Sequence, residues 1–200
     1  VVKQTKPGLS VLSDRPVSAS LEGYLFPDTY YMSVDATAEE IAERLVGTLD
    51  ERIDEPRRQL AAQRGLSIFQ VLTLASIVER EAVVADERPT IAGVYLNRIA
   101  QNMPLQADPT VQYAIGQREA GGPWWSDLTV EELQTVQSPY NTYLNPALPP
   151  GPICNPSLSS IDAVLQPAQS DYLYFLARGD GTHVFARTYE EQLENQALYR

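Results

Sequence analysis

An α+β fold, rich in helix and built around one buried helix, follows from three features of the sequence. The first is the stretch 66–84, LSIFQVLTLASIVEREAVV, in which Ile68 to Val78 run with hardly a polar interruption. A helix apolar on every side belongs in a protein interior. The second is a set of helix starts marked by capping boxes: Thr37 with Glu40, Ser67 with Gln70, Thr129 with Glu132. In each, a hydroxyl and a carboxyl or amide three residues on satisfy orphan backbone N–H groups reciprocally. The third is a hairpin signal: DYLYFLAR (171–178) and THVFAR (182–187) bracket Gly179-Asp180-Gly181. Many helices beside one small antiparallel sheet define α+β.

In chain order, residues 1–20 carry Pro7, Gly8 and Pro16 and read as a linker or a short edge element. LEGYLFPDTYYMS (21–33) predicts a short strand, a turn at Pro27-Asp28 and aromatic packing. Glu22 stands there among apolar residues, equally suited to a structural and to a catalytic role. Thr37 opens an amphipathic helix, and a second short helix over 55–64 ends at Gly65, a good residue past a C-terminus. The central helix follows. Asp86-Glu87-Arg88-Pro89 starts the next, with proline tolerated in its first turn. Its apolar members Ile91, Val94, Tyr95, Leu96 and Ile99 predict a hairpin of helices with the central one.

Two Pro-rich segments come next, PLQADPTVQYAIG (104–116) and SPYNTYLNPALPPGPICNP (138–156), holding eight of the fifteen prolines. Proline fixes φ and lowers the entropy of a free loop, so these read as stiff, extended loops. Long structured loops are usually functional, and this one carries Tyr140, Asn141, Thr142 and Tyr143. The two tryptophans of PWWSD (123–127) read as core in preference to a sugar-stacking platform. A short helix over 157–166, the hairpin and a closing helix from Tyr189 complete the chain.

Composition narrows the function. Hydrophobic residues make up 44 % and charged residues 20 % of 200, which fits one folded domain. A net charge of −11 argues against nucleic-acid binding and against docking on anionic lipid by charge. No run of about 18 uncharged apolar residues exists to span a membrane. The opening VVKQTKPGLS, without Met, reads like the middle of something, and we expect a membrane anchor or targeting segment ahead of it. One cysteine, Cys154, excludes an internal disulfide, and one histidine, His183, excludes a multi-histidine site. No metal and no cofactor is expected.

Glu79 interrupts the apolar helix. Its helical neighbours are Leu72, Ala75, Ser76, Ala82 and Val83. A carboxyl group among such residues loses hydration, which raises its pKa and fits it to act as an acid at neutral pH. The plainer reading is that Glu79, with Arg80 and Glu81 behind it, marks where the helix emerges into solvent. Glu81 lies roughly 200° around the helix from Glu79 at about 100° per residue, so the two cannot share one small site.

LEGYLFPDTY, ASIVEREA, ERPTIAGVYLNRI, PLQADPTVQYA, SPYNTYLNPALPPGPICNP and YLYFLARGDGTHVFARTYEEQ occur in this order. Together they resemble the MltG (YceG-like) family of bacterial endolytic murein transglycosylases, from about Leu21 to the C-terminus. The resemblance implies a catalytic domain over 21–200, with 1–20 a linker or the remnant of an N-terminal LysM-like subdomain. It implies cleavage of the β-1,4 bond between N-acetylmuramic acid and N-acetylglucosamine within glycan strands, leaving 1,6-anhydro-muramic ends. It puts Glu79 on the family's catalytic glutamate, the first Glu of ASIVE-x-E, as a single general acid and base. Gln106, Asn141, Thr142 and Tyr143 become candidates for holding the sugars, lining one cleft with Glu79 at its floor. The implied partners are peptidoglycan strands and cell-wall synthases such as penicillin-binding proteins. The implied place is the extracytoplasmic side of the cytoplasmic membrane of a bacterial envelope. Two alternatives stand beside this: a lysozyme-like hydrolase using Glu79 and Asp108, and a non-catalytic glycan-binding module.

Overall fold

The structure is a computed structural model and describes residues 8–199. Eight α-helices and one two-stranded sheet appear among the described residues: α1 (Ala38–Arg52), α2 (Glu55–Gln63), α3 (Ile68–Glu81), α4 (Arg88–Ala100), α5 (Asp108–Ile115), α6 (Val130–Thr135), α7 (Leu158–Leu165), β1 (Tyr174–Ala177), β2 (His183–Ala186) and α8 (Tyr189–Tyr199). The expected α+β class holds.

The three predicted capping boxes form at Thr37, Ser67 and Thr129, each with both reciprocal bonds. They set the starts of α1, α3 and α6. Gly65 follows α2 with φ +68°, a left-handed conformation that suits glycine. Helix α3 is the centre of the core, with Val71, Leu72, Leu74, Ala75, Ile77 and Val78 all sealed from solvent. It packs on α4, as its apolar pattern predicted, and on α7, which also packs on α4. Gly93 permits the close approach of the chain that follows α7: a Cβ there would stand 2.8 Å from the Ala168 carbonyl oxygen. The strands β1 and β2 pair antiparallel, with Phe175 opposite Phe185 and Ala177 opposite His183. Helix α8 covers this hairpin.

Four expectations need correction. Residues 21–33 form no strand. Gly23, at φ +85°, turns the chain tightly against Pro152, and Leu21, Tyr24 and Phe26 are buried from a succession of turns. Helix α3 stops at Glu81 rather than continuing to Val84, because Ala82 is already extended and a 3-10 turn (Ala85–Glu87) follows. The segment 104–116 is not all loop. Pro109 sits in the first turn of α5, where its missing N–H has no partner to lose. Trp124 is not core: it is 49 % exposed, with its ring over Gly116.

The described part of the N-terminal segment is attached to the domain. Val11 is buried, and its N–H and the Ser10 hydroxyl both donate to the Asp50 carboxylate at 2.7 and 2.8 Å. Residues 1–7 of the predicted linker lie outside the described residues.

Candidate active site

The last turn of α3 sends two carboxylates to opposite sides of the helix, as the 200° separation requires. Glu79 points at the start of α7. Its Oε2 accepts from the Ser157 backbone N–H (3.0 Å), the Ser157 hydroxyl (2.5 Å) and the Ser160 hydroxyl (2.6 Å). Arg88 Nη2 stands 3.9 Å from Oε1. Ser157 itself makes no capping bond with its own side chain, so Glu79 supplies the negative group that the positive end of α7 favours. Burial pushes the Glu79 pKa up, but the bonds from Ser157 and Ser160 and the Arg88 charge outweigh it and leave the carboxyl below its usual range. This reverses the raised pKa expected from its apolar neighbours. Those neighbours were read correctly, but the serines of α7 were invisible from the helix alone.

Glu81 faces a cavity of about 420 Å³. Tyr95 of α4 donates its hydroxyl to Glu81 Oε1 at 2.6 Å. Burial pushes the Glu81 carboxyl up to about 7, the Tyr95 bond opposes this, and the nearby Asp108 charge adds to it against the pull of Arg98. Glu81, not Glu79, lines this cavity.

The rest of the cavity wall comes from Gln106, from Asp108 at the start of α5, from Tyr143 of the Pro-rich loop, and from β1, β2 and α8. Tyr143 donates its hydroxyl to Asp108 Oδ1 at 2.5 Å. Arg98 is 7 % exposed and bonds the carbonyls of Leu173 and Leu105, each at 2.6 Å, so it anchors the wall to α4. His183 of β2 has its Nδ1 2.7 Å from Glu87 Oε2, and its backbone N–H donates to Glu87 Oε1 at 3.0 Å.

Of the four sugar-holding candidates, Gln106 and Tyr143 line this cavity with Glu81. Asn141 and Thr142 do not. They are 0 % and 1 % exposed, and their side chains are consumed inside the protein. Asn141 Nδ2 donates to the carbonyls of Leu133 and Val136, and its Oδ1 accepts from the Tyr143 N–H. Thr142 Oγ1 accepts from the Ala107 N–H at 3.0 Å and meets Thr110 Oγ1 at 2.9 Å. The Thr142 carbonyl accepts from the Gln106 N–H. These bonds hold Gln106 at φ +50°, a conformation a non-glycine residue adopts only where its surroundings impose it. Asn141 and Thr142 thus spend their side chains on bonds within the protein.

Sequence reasoning named Glu81 only to separate it from Glu79, and Tyr95 only as an apolar member of its helix. The signal existed: Glu81 follows Leu74, Ile77 and Val78 on its own face, as apolar a setting as that of Glu79. Among the described residues no group of three or more His, Cys, Asp or Glu side chains is placed to hold a metal ion.

Fold and cavity together define a helical domain whose central helix ends in a cavity-facing carboxyl group of raised pKa. The chain belongs to the YceG-like family, whose model matches residues 2–198. It is 37 % identical over 187 residues to a Bacillus subtilis (strain 168) protein named endolytic murein transglycosylase, covering 93 % of this chain and 50 % of that protein. A protein of the same name from Streptococcus pneumoniae (strain D39) is 34 % identical over 194 residues, with 94 % of this chain and 35 % of that protein covered. A solved yceG-like protein from Listeria monocytogenes superposes with a TM-score of 0.77 at 42 % identity, over 92 % of this chain and 57 % of that one. The chain therefore spans about half the length, or less, of the curated relatives it matches.

Proposed function

We propose that this chain is the catalytic part of an endolytic murein transglycosylase, with Glu81 as its single general acid and base. Glu79, two residues away, takes the structural role of tying α3 to α7. The observation that carries this reading is Glu81 itself: a carboxyl at the end of the buried helix, facing the cavity, with its pKa raised to about 7. An acid is most effective when its pKa lies near the working pH.

In this scheme the Glu81 proton passes to the glycosidic oxygen as the bond to the muramic acid anomeric carbon breaks. The muramic acid 6-hydroxyl then attacks that carbon and returns its own proton to Glu81. One sugar ends as a 1,6-anhydro ring, and the other leaves with a free 4-hydroxyl. Intramolecular capture gains from effective molarities of roughly 10⁵ M or more, so water competes poorly even in an open cleft. Gln106 and Tyr143 hold the sugars. The natural substrate is the peptidoglycan glycan strand on the outer side of the cytoplasmic membrane, beside the synthases that extend it.

A second reading has its own support. Asp108 lines the same cavity as Glu81, and a hydrolase uses two carboxyl groups. Digestion of purified peptidoglycan in heavy-oxygen water, read by mass spectrometry, separates the two. Anhydro-muramic ends without label are expected. Stoichiometric label at the new sugar end overturns the transglycosylase reading in favour of hydrolysis.

A further inference from the structure

Asp108 is the second acid of the cavity, and single-acid transglycosylation gives it no proton to move. Its geometry nonetheless shows a constructed position. It opens α5, next to a proline that fixes the first turn. Tyr143 reaches across from the Pro-rich loop to bond Oδ1, leaving Oδ2 without a hydrogen bond among the described residues. Helix α5 and the Pro-rich loop, which carry this pair, are themselves locked together by Thr142 and Thr110 in the interior. Nothing cationic is paired with the Asp108 carboxylate among the described ion pairs, although it lines the same cavity as Glu81.

We propose that Asp108 is a catalytic residue that stabilises positive charge at the anomeric carbon without forming a bond or moving a proton, and that Tyr143 is its positioning residue. This rests on the transglycosylase reading above and adds a role to the same cavity. Cleaving a glycosidic bond with no enzyme nucleophile leaves an oxocarbenium-like transition state. A fixed carboxylate stabilises such charge because it is already oriented before the charge develops. An unpaired anion in the cavity does a second thing. It makes loss of the Glu81 proton less favourable, which keeps the general acid loaded. Tyr143 holds the anion to one side with a hydroxyl whose own pKa is raised by burial and by the Asp108 bond.

The other groups facing Glu81 do not duplicate this. From α4 come Tyr95, which bonds Glu81, and Arg98, which is bound to backbone carbonyls. From the hairpin come Tyr174, beneath Arg98, and His183, bonded to Glu87. Helix α8 brings Tyr189. Asp108 is the one further carboxylate among the described cavity residues.

The test compares the wild type with Asp108→Asn, Asp108→Glu and Tyr143→Phe on purified glycan strands over a range of pH. Asp108→Asn is expected to lower kcat roughly 10²–10³-fold, the scale seen when one preorganised charge-stabilising group is removed. It should also move the basic limb of the rate profile to lower pH, because Glu81 loses its proton more easily without the neighbouring anion. Asp108→Glu should restore part of kcat. Tyr143→Phe should move both readouts the same way by less. For Asp108→Asn, glycan binding and melting temperature should stay near wild type, which separates the role from a structural one. An Asp108→Asn variant with unchanged kcat, or one that changes KM alone, overturns the proposal. Heavy-oxygen label in the wild-type product would instead overturn the parent reading and make Asp108 the base of a hydrolase.

Discussion

The Tyr95 hydroxyl donates to Glu81 Oε1 at 2.6 Å, from about two turns past the start of α4 to the last residue of α3. The bond fixes one carboxyl oxygen and leaves the other for the cavity. It favours the ionised form, so its loss raises the Glu81 pKa further. Tyr95→Phe should therefore move the basic limb of the rate profile to higher pH, opposite to Asp108→Asn. A pH–rate profile of the variant checks the direction, and a downward shift would contradict this role.

The two glutamates of α3 should separate cleanly on substitution. Glu81→Gln is expected to abolish glycan cleavage, about 10²–10⁴-fold or more, while keeping the fold. Glu79→Gln is expected to cost stability instead. Hydrogen bonds to a charged group contribute about 1.5–3 kcal/mol, and Glu79 receives three from Ser157 and Ser160. Activity assays together with denaturant unfolding decide this. Glu81→Gln with full activity, or Glu79→Gln fully stable but inactive, would return the catalytic role to Glu79.

Stability should depend on pH through Glu81. Its carboxyl is raised from 4.5 to about 7 in the folded protein. Between those values the native state binds the extra proton, so the contribution of Glu81 is full below pH 4.5 and is lost as pH rises through 7. Glu81→Gln, which carries no charge to bury, should then be the more stable protein at pH 8, by on the order of 3 kcal/mol at most. Glu79 works the other way. Its lowered pKa contributes stability above 4.5 that disappears as pH falls through the folded value. Thermal melts of both variants across pH 4–9 test the two signs.

Thr142 offers a test of the loop lock. Thr142→Val keeps the shape but leaves the Ala107 N–H without its acceptor in the interior, while the Thr110 hydroxyl keeps its bond to the Ala107 carbonyl. An unsatisfied buried group costs about 1–3 kcal/mol. The variant should lose that much stability, and KM should rise because the segment that carries Gln106 is held less firmly, by the Thr142 backbone carbonyl alone. Unchanged stability and KM would show that the loops are held by other contacts.

Local sequence determined the helices whose starts are self-contained. A capping box needs only four residues, so α1, α3 and α6 were readable at Thr37, Ser67 and Thr129. The apolar run of α3 and the Gly-Asp-Gly hairpin are equally local and equally readable. The short strand expected within 21–33 failed because aromatics and turn formers do not show that Gly23 must turn against Pro152, a residue far along the chain. The site divided in the same way. Helical spacing alone put Glu79 and Glu81 on different faces. Which face meets a cavity depends on what lies opposite. Ser157 and Ser160 arrive from α7 and consume Glu79. Tyr95 arrives from α4 and leaves Glu81 open to the cleft. Asn141 and Thr142 read as ligand-binding residues until the fold buries them against backbone groups. A side chain's chemistry is written in the sequence, but its pKa and its free hydrogen-bonding capacity are set by partners that only tertiary packing brings within 3 Å.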